Sequence, residues 1–300
     1  MKRIFVRGMS RSGGTLMATI LDAHPDVAMC YETYEVLLAP AEGEADPASR
    51  FEAELARAVR DGAETIRDGQ LRKFALRAGR AGVDVRTLAG ILADHRAAGG
   101  TLDAFEGRMR VVEAVGHAKT RAENAAHWGT KIGANYDAIE TLLPGSYYLF
   151  MLRDGRDIAA SRKNVGQFKQ SMADVARGWA NQIRQFQRFA GGPGVHAYTV
   201  RYETLTAEPE AELRAIMSFL GLPWHEDIVQ HHTQDLSLYR NPAGHLSREQ
   251  VQQPIATTSV GRFAQDLTSE EIAAFEAGAG TLLDELGYPR ATPATPGMPG

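Results

Sequence analysis

Cysteine is almost absent from this chain of 300 residues, in which Cys30 is the single example. One cysteine excludes an intramolecular disulfide and a cysteine-rich zinc site, and it fits a reducing compartment. Long apolar runs are also absent. No stretch approaches the ~18 consecutive apolar residues that a membrane span needs, and the run Ile4–Val6 is too short for a signal peptide. We therefore expect a soluble, cytoplasmic protein without a membrane partner.

An excess of one charge is missing as well, because 33 basic residues are balanced by 37 acidic ones and the net charge is −4. Such a chain has no bulk attraction for nucleic acid or an anionic membrane, so any anion that it binds must be held by a local cluster of charges. The sequence contains no H-E-x-x-H, EF-hand or cysteine-cluster pattern. No metal and no nucleic-acid partner are therefore expected.

Predicted strands alternate with predicted helices along the chain. Arg3–Arg7, Tyr147–Leu152 and Val195–Val200 are short apolar segments typical of strands. Predicted helices follow them: one ends near His24 before a proline, and one is closed by Gly221. This alternation predicts an α/β fold with a central parallel sheet flanked by helices.

A third predicted helix and two atypical segments complete the organisation of the chain. Ser171 can cap an amphipathic helix whose apolar face includes Trp179. The region from about 40 to 110 is rich in Ala, Arg, Glu and Gly, and we expect a helical insertion of two or three helices there. Residues 289–300 are rich in Pro, Thr and Gly, so we expect one domain over 1–288 followed by a disordered tail.

A glycine-containing loop, Gly8–Thr15, connects the first predicted strand to the first helix and is called the phosphate loop below. It has the length of the P-loop pattern G-x-x-x-x-G-K-[ST], but Gly14 stands in the lysine position. A kinase uses that lysine on the transferred phosphate. Backbone N–H groups and the helix N-terminus can still hold a phosphate, and Arg11 supplies a positive charge three residues upstream. An ordinary glycine turn remains the alternative at this point.

A second motif, Arg153–Ser161, follows a predicted buried strand. A guanidinium offers a forked pair of donors to a phosphate, and a serine hydroxyl early in the next helix can add another donor. The alternative is a charged surface loop, since Asp154 and Asp157 can pair with the arginines.

Together the two motifs resemble the 5'-phosphosulfate loop and the 3'-phosphate motif of sulfotransferases that use 3'-phosphoadenylyl sulfate (PAPS). The closest likeness within that family is to the protein-tyrosine sulfotransferases. Residues 200–205, 247–254 and 259–263 resemble further cofactor-binding segments of the family. The resemblance implies a P-loop nucleotide-binding fold and the following contacts to PAPS: Arg11, Ser12, Gly13, Gly14, Thr15, Arg153, Ser161, Tyr202, Ser247, Gln250 and Arg262.

The resemblance also implies catalytic roles. Glu32 lines up with the family's catalytic glutamate, and partial burial is expected to give it a pKa suited to a general base. Arg11 would stabilise the leaving group, Lys131 would hold the sulfonate and bridging oxygen, and Ser247 would add a hydroxyl donor. A histidine base remains an alternative, with His24, His117 and His127 as the candidates.

The acceptor is left open by the sequence. Tyr34 and Leu38 occupy the positions of two arginines that read acidic peptides in the protein-tyrosine sulfotransferases, and Gly14 replaces a threonine. The acceptor hydroxyl is therefore that of a peptide tyrosine, a carbohydrate or a small metabolite. The helical insertion is expected to be an acceptor lid, a contact in a homodimer, or packing. A P-loop kinase and a non-catalytic nucleotide-binding protein are the alternatives of another class.

Overall fold

The structure is a computed structural model and describes residues 1–166, 170–242 and 245–291. Within these ranges the strands form one five-stranded sheet in which every neighbouring pair is parallel and the order is β2-β3-β1-β4-β5. The strands are β1 (Arg3–Gly8), β2 (Val27–Cys30), β3 (His127–Lys131), β4 (Tyr147–Leu152) and β5 (His196–Arg201).

Helices connect the strands. In chain order they are α1 (Gly14–Asp22), α2 (Ala48–Asp61), α3 (Gly69–Arg80), α4 (Val85–Ala97), α5 (Phe105–Glu123), α6 (Tyr136–Leu142), α7 (Gly155–Asn164), α8 (Met172–Ala190), α9 (Tyr202–Ala207), α10 (Pro209–Leu220), α11 (Ser237–Arg240), α12 (Arg248–Val251), α13 (Phe263–Asp266), α14 (Ser269–Ala279) and α15 (Leu282–Glu285). Short 3-10 turns cover Glu35–Leu38, Ala63–Thr65, Glu226–Ile228 and His231–Thr233.

The two faces of the sheet bury different side chains, as the two-residue repeat of a strand requires. In β1, Phe5 packs into the core on the side of α2, α3, α8 and α14, whereas Ile4 and Val6 pack on the side of α1 and α10. All three side chains are fully buried. Helices therefore flank both faces of a parallel sheet, and the predicted fold class is confirmed.

The local helix signals near the sheet hold in the structure. Helix α1 ends at Asp22, shortly before Pro25. The Ser171 hydroxyl caps α8 by accepting from the backbone N–H of Asp174, and α10 ends at Gly221 in the left-handed conformation. These ends are set by residues adjacent in the sequence, which is why the sequence could predict them.

The helical insertion lies between β2 and β3 and extends beyond its predicted end. It contains α2, α3 and α4, and its last helix, α5, continues to Glu123. A Cβ atom added to Gly116 in α5 would lie 2.4 Å from the Trp128 ring in β3. Glycine at this position lets α5 approach the sheet, so α5 is both the end of the insertion and a layer of the core.

Three residues of the predicted tail, Pro289 to Ala291, are held against the domain. The Arg156 guanidinium donates to the Pro289 carbonyl at 2.9 Å, and the Ala291 N–H donates to the Glu276 carboxylate at 2.8 Å. The start of the predicted tail at residue 289 is therefore wrong, because a buried ion pair fixes this part of the chain. Residues 292–300 lie outside the described residues.

Candidate active site

The predicted site residues meet at the carboxyl edge of the sheet. Glu32 follows β2, Lys131 ends β3, Arg153 follows β4 and Tyr202 follows β5, while the phosphate loop leaves β1. Because all five strands are parallel, their carboxyl ends lie at the same edge. A cavity of about 710 Å³ opens there and is lined by all of these elements.

The phosphate loop needs glycine at its tightest point. Gly13 has φ 97°, and a Cβ atom there would lie 2.7 Å from the Tyr202 ring. The N–H of Ser12 donates to the Met9 carbonyl at 3.0 Å, and the N–H of Met17 donates to the Gly13 carbonyl at 3.0 Å. The loop therefore closes in a tight turn directly before α1, as a helix N-terminal anion site requires.

Gly14 lies next to Lys131, at the distance of an ordinary contact. A Cβ atom on Gly14 would lie 3.5 Å from Cε of Lys131, and the Lys131 ammonium donates to the Thr15 hydroxyl at 2.9 Å. The lysine that the loop lacks in sequence is thus supplied beside it from β3.

Ser12 is expected to contact PAPS, and this role stays a prediction. Its side chain is fully buried, and the lining of the cavity includes its neighbours Arg11 and Gly13 but not Ser12. The Ser12 hydroxyl lies beneath the loop, 2.3 Å from the position of a Cβ atom on Gly8. Within the described residues the Ser12 hydroxyl has no hydrogen-bond partner, and it is not part of the cavity lining.

Arg11 joins three of the other predicted residues. Its Nε donates to the Ser161 hydroxyl at 3.0 Å, its Nη1 to the Ser247 hydroxyl at 2.9 Å and its Nη2 to Gln250 Oε1 at 3.2 Å. Arg11 has φ 78°, an uncommon value for a residue with a side chain. These contacts place its guanidinium on the side of α7 and α12.

Arg153 lies next to Arg11. Its Nη1 donates to the Arg11 carbonyl at 2.9 Å, and its guanidinium stacks over the Tyr202 ring at 4.5 Å. The Arg153 side chain is only 5% exposed, and the Asp157 carboxylate lies 3.9 Å away. The Asp157 oxygens are engaged by the backbone N–H groups of Gly261 and Phe263 at 2.8 and 3.0 Å.

Three guanidinium groups therefore share one end of the cavity. Burial lowers the pKa of Arg11, and the positive charges of Arg153 and Arg262 lower it further. Arg262 is paired with Asp266 at 2.7 Å but still lines the cavity. Like charges held together at a glycine turn and a helix N-terminus fit a phosphate-bearing ligand.

Glu32 lies at the other end of the cavity among cations. Its Oε1 accepts from the Lys131 ammonium at 2.7 Å, and its Oε2 lies 3.8 Å from Arg80 and 4.0 Å from Arg77. Glu32 has φ 63°, and its carbonyl accepts from Arg77 at 3.1 Å and from the backbone N–H of Tyr34 at 2.8 Å. Helix α3 of the insertion thus fixes both the backbone and the carboxylate of Glu32.

The pKa of Glu32 is shifted downward, opposite to the direction expected from burial, and its role as a base stays a prediction. Burial alone raises the pKa of Glu32, but the charge and hydrogen bond of Lys131, with Arg77 and His245, lower it from 4.5 to about 2. The carboxylate is fully ionised at neutral pH, and its basicity is weak while Lys131 remains on it.

The histidines singled out in the sequence do not reach this site. Both ring nitrogens of His24 are used, by the Pro223 carbonyl at 2.9 Å and the Asp26 N–H at 3.1 Å. His127 begins β3 and so lies at the opposite edge of the sheet, and His117 packs edge-on against Trp128. The described lining of the cavity includes none of the three.

The structure adds three residues to the cavity lining that no sequence motif marks: Arg77, Arg80 and His245. Arg77 and Arg80 lie on α3, where composition predicts a helix but no site, and Arg77 stacks over Tyr34 at 5.0 Å. An arginine therefore does contact Tyr34, at one of the two positions where the family's peptide-reading arginines are missing. His245 lines the cavity two residues before Ser247 and is only 8% exposed.

Residues 1–166, 170–242 and 245–291 contain no group of three or more His, Cys, Asp and Glu side chains placed to hold a metal ion. Across the same ranges, every helix is too short or too polar to span a membrane.

Comparisons with known proteins agree with this site. Residues 3–226 match the sequence profile of the sulfotransferase family. The protein-tyrosine sulfotransferase of Drosophila melanogaster is 25% identical over 309 aligned positions, covering 100% of this chain and 54% of that protein. Protein-tyrosine sulfotransferase A of Caenorhabditis elegans is 32% identical over 177 positions, covering 54% of this chain and 44% of that protein. The chain thus spans about half the length of these two relatives.

A solved structure shows the same fold. The sulfotransferase domain of the Synechococcus PCC 7002 olefin synthase superposes with a TM-score of 0.57, at 16% identity, over 96% of this chain and 94% of that domain. The family profile covers well over half of the chain, so the predicted family is confirmed. The chain belongs to the sulfotransferase family.

Proposed function

We propose that the chain transfers the sulfuryl group of PAPS to the hydroxyl of an acceptor, with a peptide tyrosine as the leading acceptor. One observation carries this proposal: Lys131 bonds both Thr15 of the phosphate loop and Glu32, so it joins the nucleotide end of the cavity to the carboxylate end. The tyrosine acceptor is taken from the names of the relatives, which are protein-tyrosine sulfotransferases.

The nucleotide would occupy the guanidinium end. The 3'-phosphate would be bound by Arg153, Ser161 and Arg262. Arg153 directly follows the end of β4, and Ser161 lies in the first two turns of α7. The backbone of Gly13 and Gly14, with Thr15, would hold the 5'-phosphosulfate at the start of α1. Arg11 would exchange some of its bonds to Ser161, Ser247 and Gln250 for ligand oxygens.

The reaction would leave Glu32 with the acceptor's proton. The acceptor oxygen attacks sulfur, a new S–O bond forms, and the S–O bond to the 5'-phosphate breaks with its electron pair leaving on adenosine 3',5'-bisphosphate. Lys131 and Arg11 supply positive charge for the oxygen that becomes anionic. A sulfonate that draws Lys131 away from Glu32 would also raise the pKa of that carboxyl toward a useful range for a base.

A carbohydrate or small-metabolite hydroxyl is the alternative acceptor. The insertion would then select it, since Lys73, Leu76, Arg77 and Arg80 of α3 line the same cavity. The kinase alternative is disfavoured by the family match and by the missing loop lysine.

The test is transfer of label from [35S]PAPS to tyrosyl peptides, phenols and saccharides, together with a thermal-shift titration with adenosine 3',5'-bisphosphate. We expect a labelled acceptor and a nucleotide-dependent rise in the melting temperature. Arg153→Ala should abolish both, while Arg214→Ala, which removes an exposed ion pair with Glu210, should change neither. The absence of both transfer and nucleotide binding in the unmodified protein would refute the proposal.

A further inference from the structure

His245 is a buried polar group for which the proposed reaction has so far no use. Its side chain is 8% exposed and lines the cavity together with Glu32 and Lys131. His245 lies outside the segments that resemble the family's PAPS-binding segments, and the nearest of these begins at Ser247.

One ring nitrogen of His245 has a fixed role. The backbone N–H of Ser247 donates to Nδ1 at 3.1 Å. A nitrogen that accepts a hydrogen bond carries a lone pair and no proton, so the neutral ring must carry its proton on Nε2. Burial lowers the pKa of His245 to about 4; Glu32 raises it, but Arg80, Lys131 and Arg11 lower it further. The ring is thus neutral at pH 7 and offers one N–H donor.

That donor has no protein acceptor in the described parts of the chain, and the ring faces the cavity. Glu32, Arg80, Lys131 and Arg11 all act on its charge, and all four line the cavity with it. The backbone N–H of Ser247 donates to His245, and the Ser247 hydroxyl accepts from Nη1 of Arg11. Ser247 therefore lies between His245 and the guanidinium of Arg11.

We propose that the Nε2–H of His245 donates a hydrogen bond to the oxygen of the acceptor hydroxyl and turns the hydroxyl proton toward Glu32. His245 itself neither gains nor loses a proton. The hydroxyl proton moves to Glu32 as the new S–O bond forms, and the leaving electron pair departs on the nucleotide as described above. This inference rests on the proposed sulfuryl transfer and adds a residue that touches the acceptor.

Two substitutions separate the donor role from a structural one. Gln places an amide N–H where Nε2 lies, whereas Asn reaches only the position of Nδ1 and can keep the bond from Ser247. With [35S]PAPS and a tyrosyl peptide, His245→Asn should lower kcat/KM by roughly 10- to 100-fold and His245→Gln by clearly less. Binding of adenosine 3',5'-bisphosphate should change less than about threefold in both. His196→Asn, at an exposed ring at the opposite end of β5, is the matched control.

The opposite ranking, with His245→Asn active and His245→Gln impaired, would show that only the Ser247 bond matters and would overturn the proposal. Equal activity of both variants and the unmodified protein would overturn it as well.

Nitrogen-15 NMR of the histidine rings at pH 7, assigned with His245→Gln, gives a readout without turnover. A proton on Nε2 supports the proposal, and a proton on Nδ1 or on both nitrogens overturns it. If the unmodified protein does not bind the nucleotide, that result would instead contradict the proposed function.

Discussion

Replacing Glu32 by Gln tests how the cations of the cavity act on the carboxylate. The substitution keeps the shape of the side chain but removes the charge that lies 2.7 Å from Lys131, 3.8 Å from Arg80 and 4.0 Å from Arg77. The substitution therefore removes the carboxylate that lies among these three cations. We expect both stability and transfer to fall, for different reasons.

The size of the stability loss follows from the pKa of Glu32. The Glu32 side chain is 23% exposed, and its pKa falls from 4.5 to about 2 on folding. A carboxyl with a depressed pKa stabilises the folded state fully above pH 4.5, and this contribution is lost as the pH falls toward 2. The charge contributes about 3 kcal/mol to the free energy of unfolding at pH 7 and about 1 kcal/mol at pH 3.

Urea denaturation of the unmodified protein and Glu32→Gln at pH 7 and pH 3 measures this effect. The gap between the two proteins should shrink by about 2 kcal/mol on going to pH 3. Transfer from PAPS should fall roughly 10²- to 10⁴-fold at neutral pH, because a general base is lost. Glu210→Gln, at an exposed pair with Arg214, should change the free energy of unfolding by less than about 0.5 kcal/mol. A gap that is the same at both pH values would refute the electrostatic reasoning.

Four further substitutions test individual contacts near the site and in the core. Gly13→Ala places a Cβ atom 2.7 Å from the Tyr202 ring at φ 97°, so we expect a loss of about 1–3 kcal/mol in thermal unfolding and weaker nucleotide binding; a neutral result would contradict the tight turn. Ser161→Ala should weaken adenosine 3',5'-bisphosphate binding about tenfold in calorimetry, whereas Ser12→Ala, whose hydroxyl lies under the loop, should change it less than about threefold; equal losses would contradict this difference. Lys119→Met removes a 1% exposed ammonium that lies 3.2 Å from a buried carboxylate, and urea denaturation should show a loss of about 3 kcal/mol or more; a stable variant would show that the ion pair is dispensable.

The nucleotide end of the cavity could be predicted because its residues are placed by local geometry. A strand followed by a glycine turn and a helix fixes the phosphate loop, and Arg153 and Ser161 are placed by the end of β4 and the start of α7. Parallel strands then bring these separate segments to one edge. Ser12 was predicted by its place in the motif, but which way its hydroxyl points depends on Gly8 and the packing beneath the loop.

The carboxylate end could be predicted only in part. Glu32 follows β2 directly, but its partners Arg77 and Arg80 come from a helix 45 or more residues away in sequence, where no motif marks them. The direction of the pKa shift of Glu32 was missed for the same reason, because burial was foreseen and the surrounding cations were not. His245 was missed because its role depends on a ring orientation set by one backbone N–H.

The position of the insertion has a consequence for how this fold can diversify. The insertion leaves the sheet after β2 and returns at β3, and these strands are parallel, hydrogen-bonded neighbours. Its two ends therefore lie at opposite edges of the sheet, and the chain must cross back along the sheet before it re-enters. Helix α5, packed against Trp128 of β3, makes this crossing. The segment between β2 and α5 can be lengthened or exchanged at a small cost in loop-closure entropy, while α5, β1, β4 and β5 keep their positions.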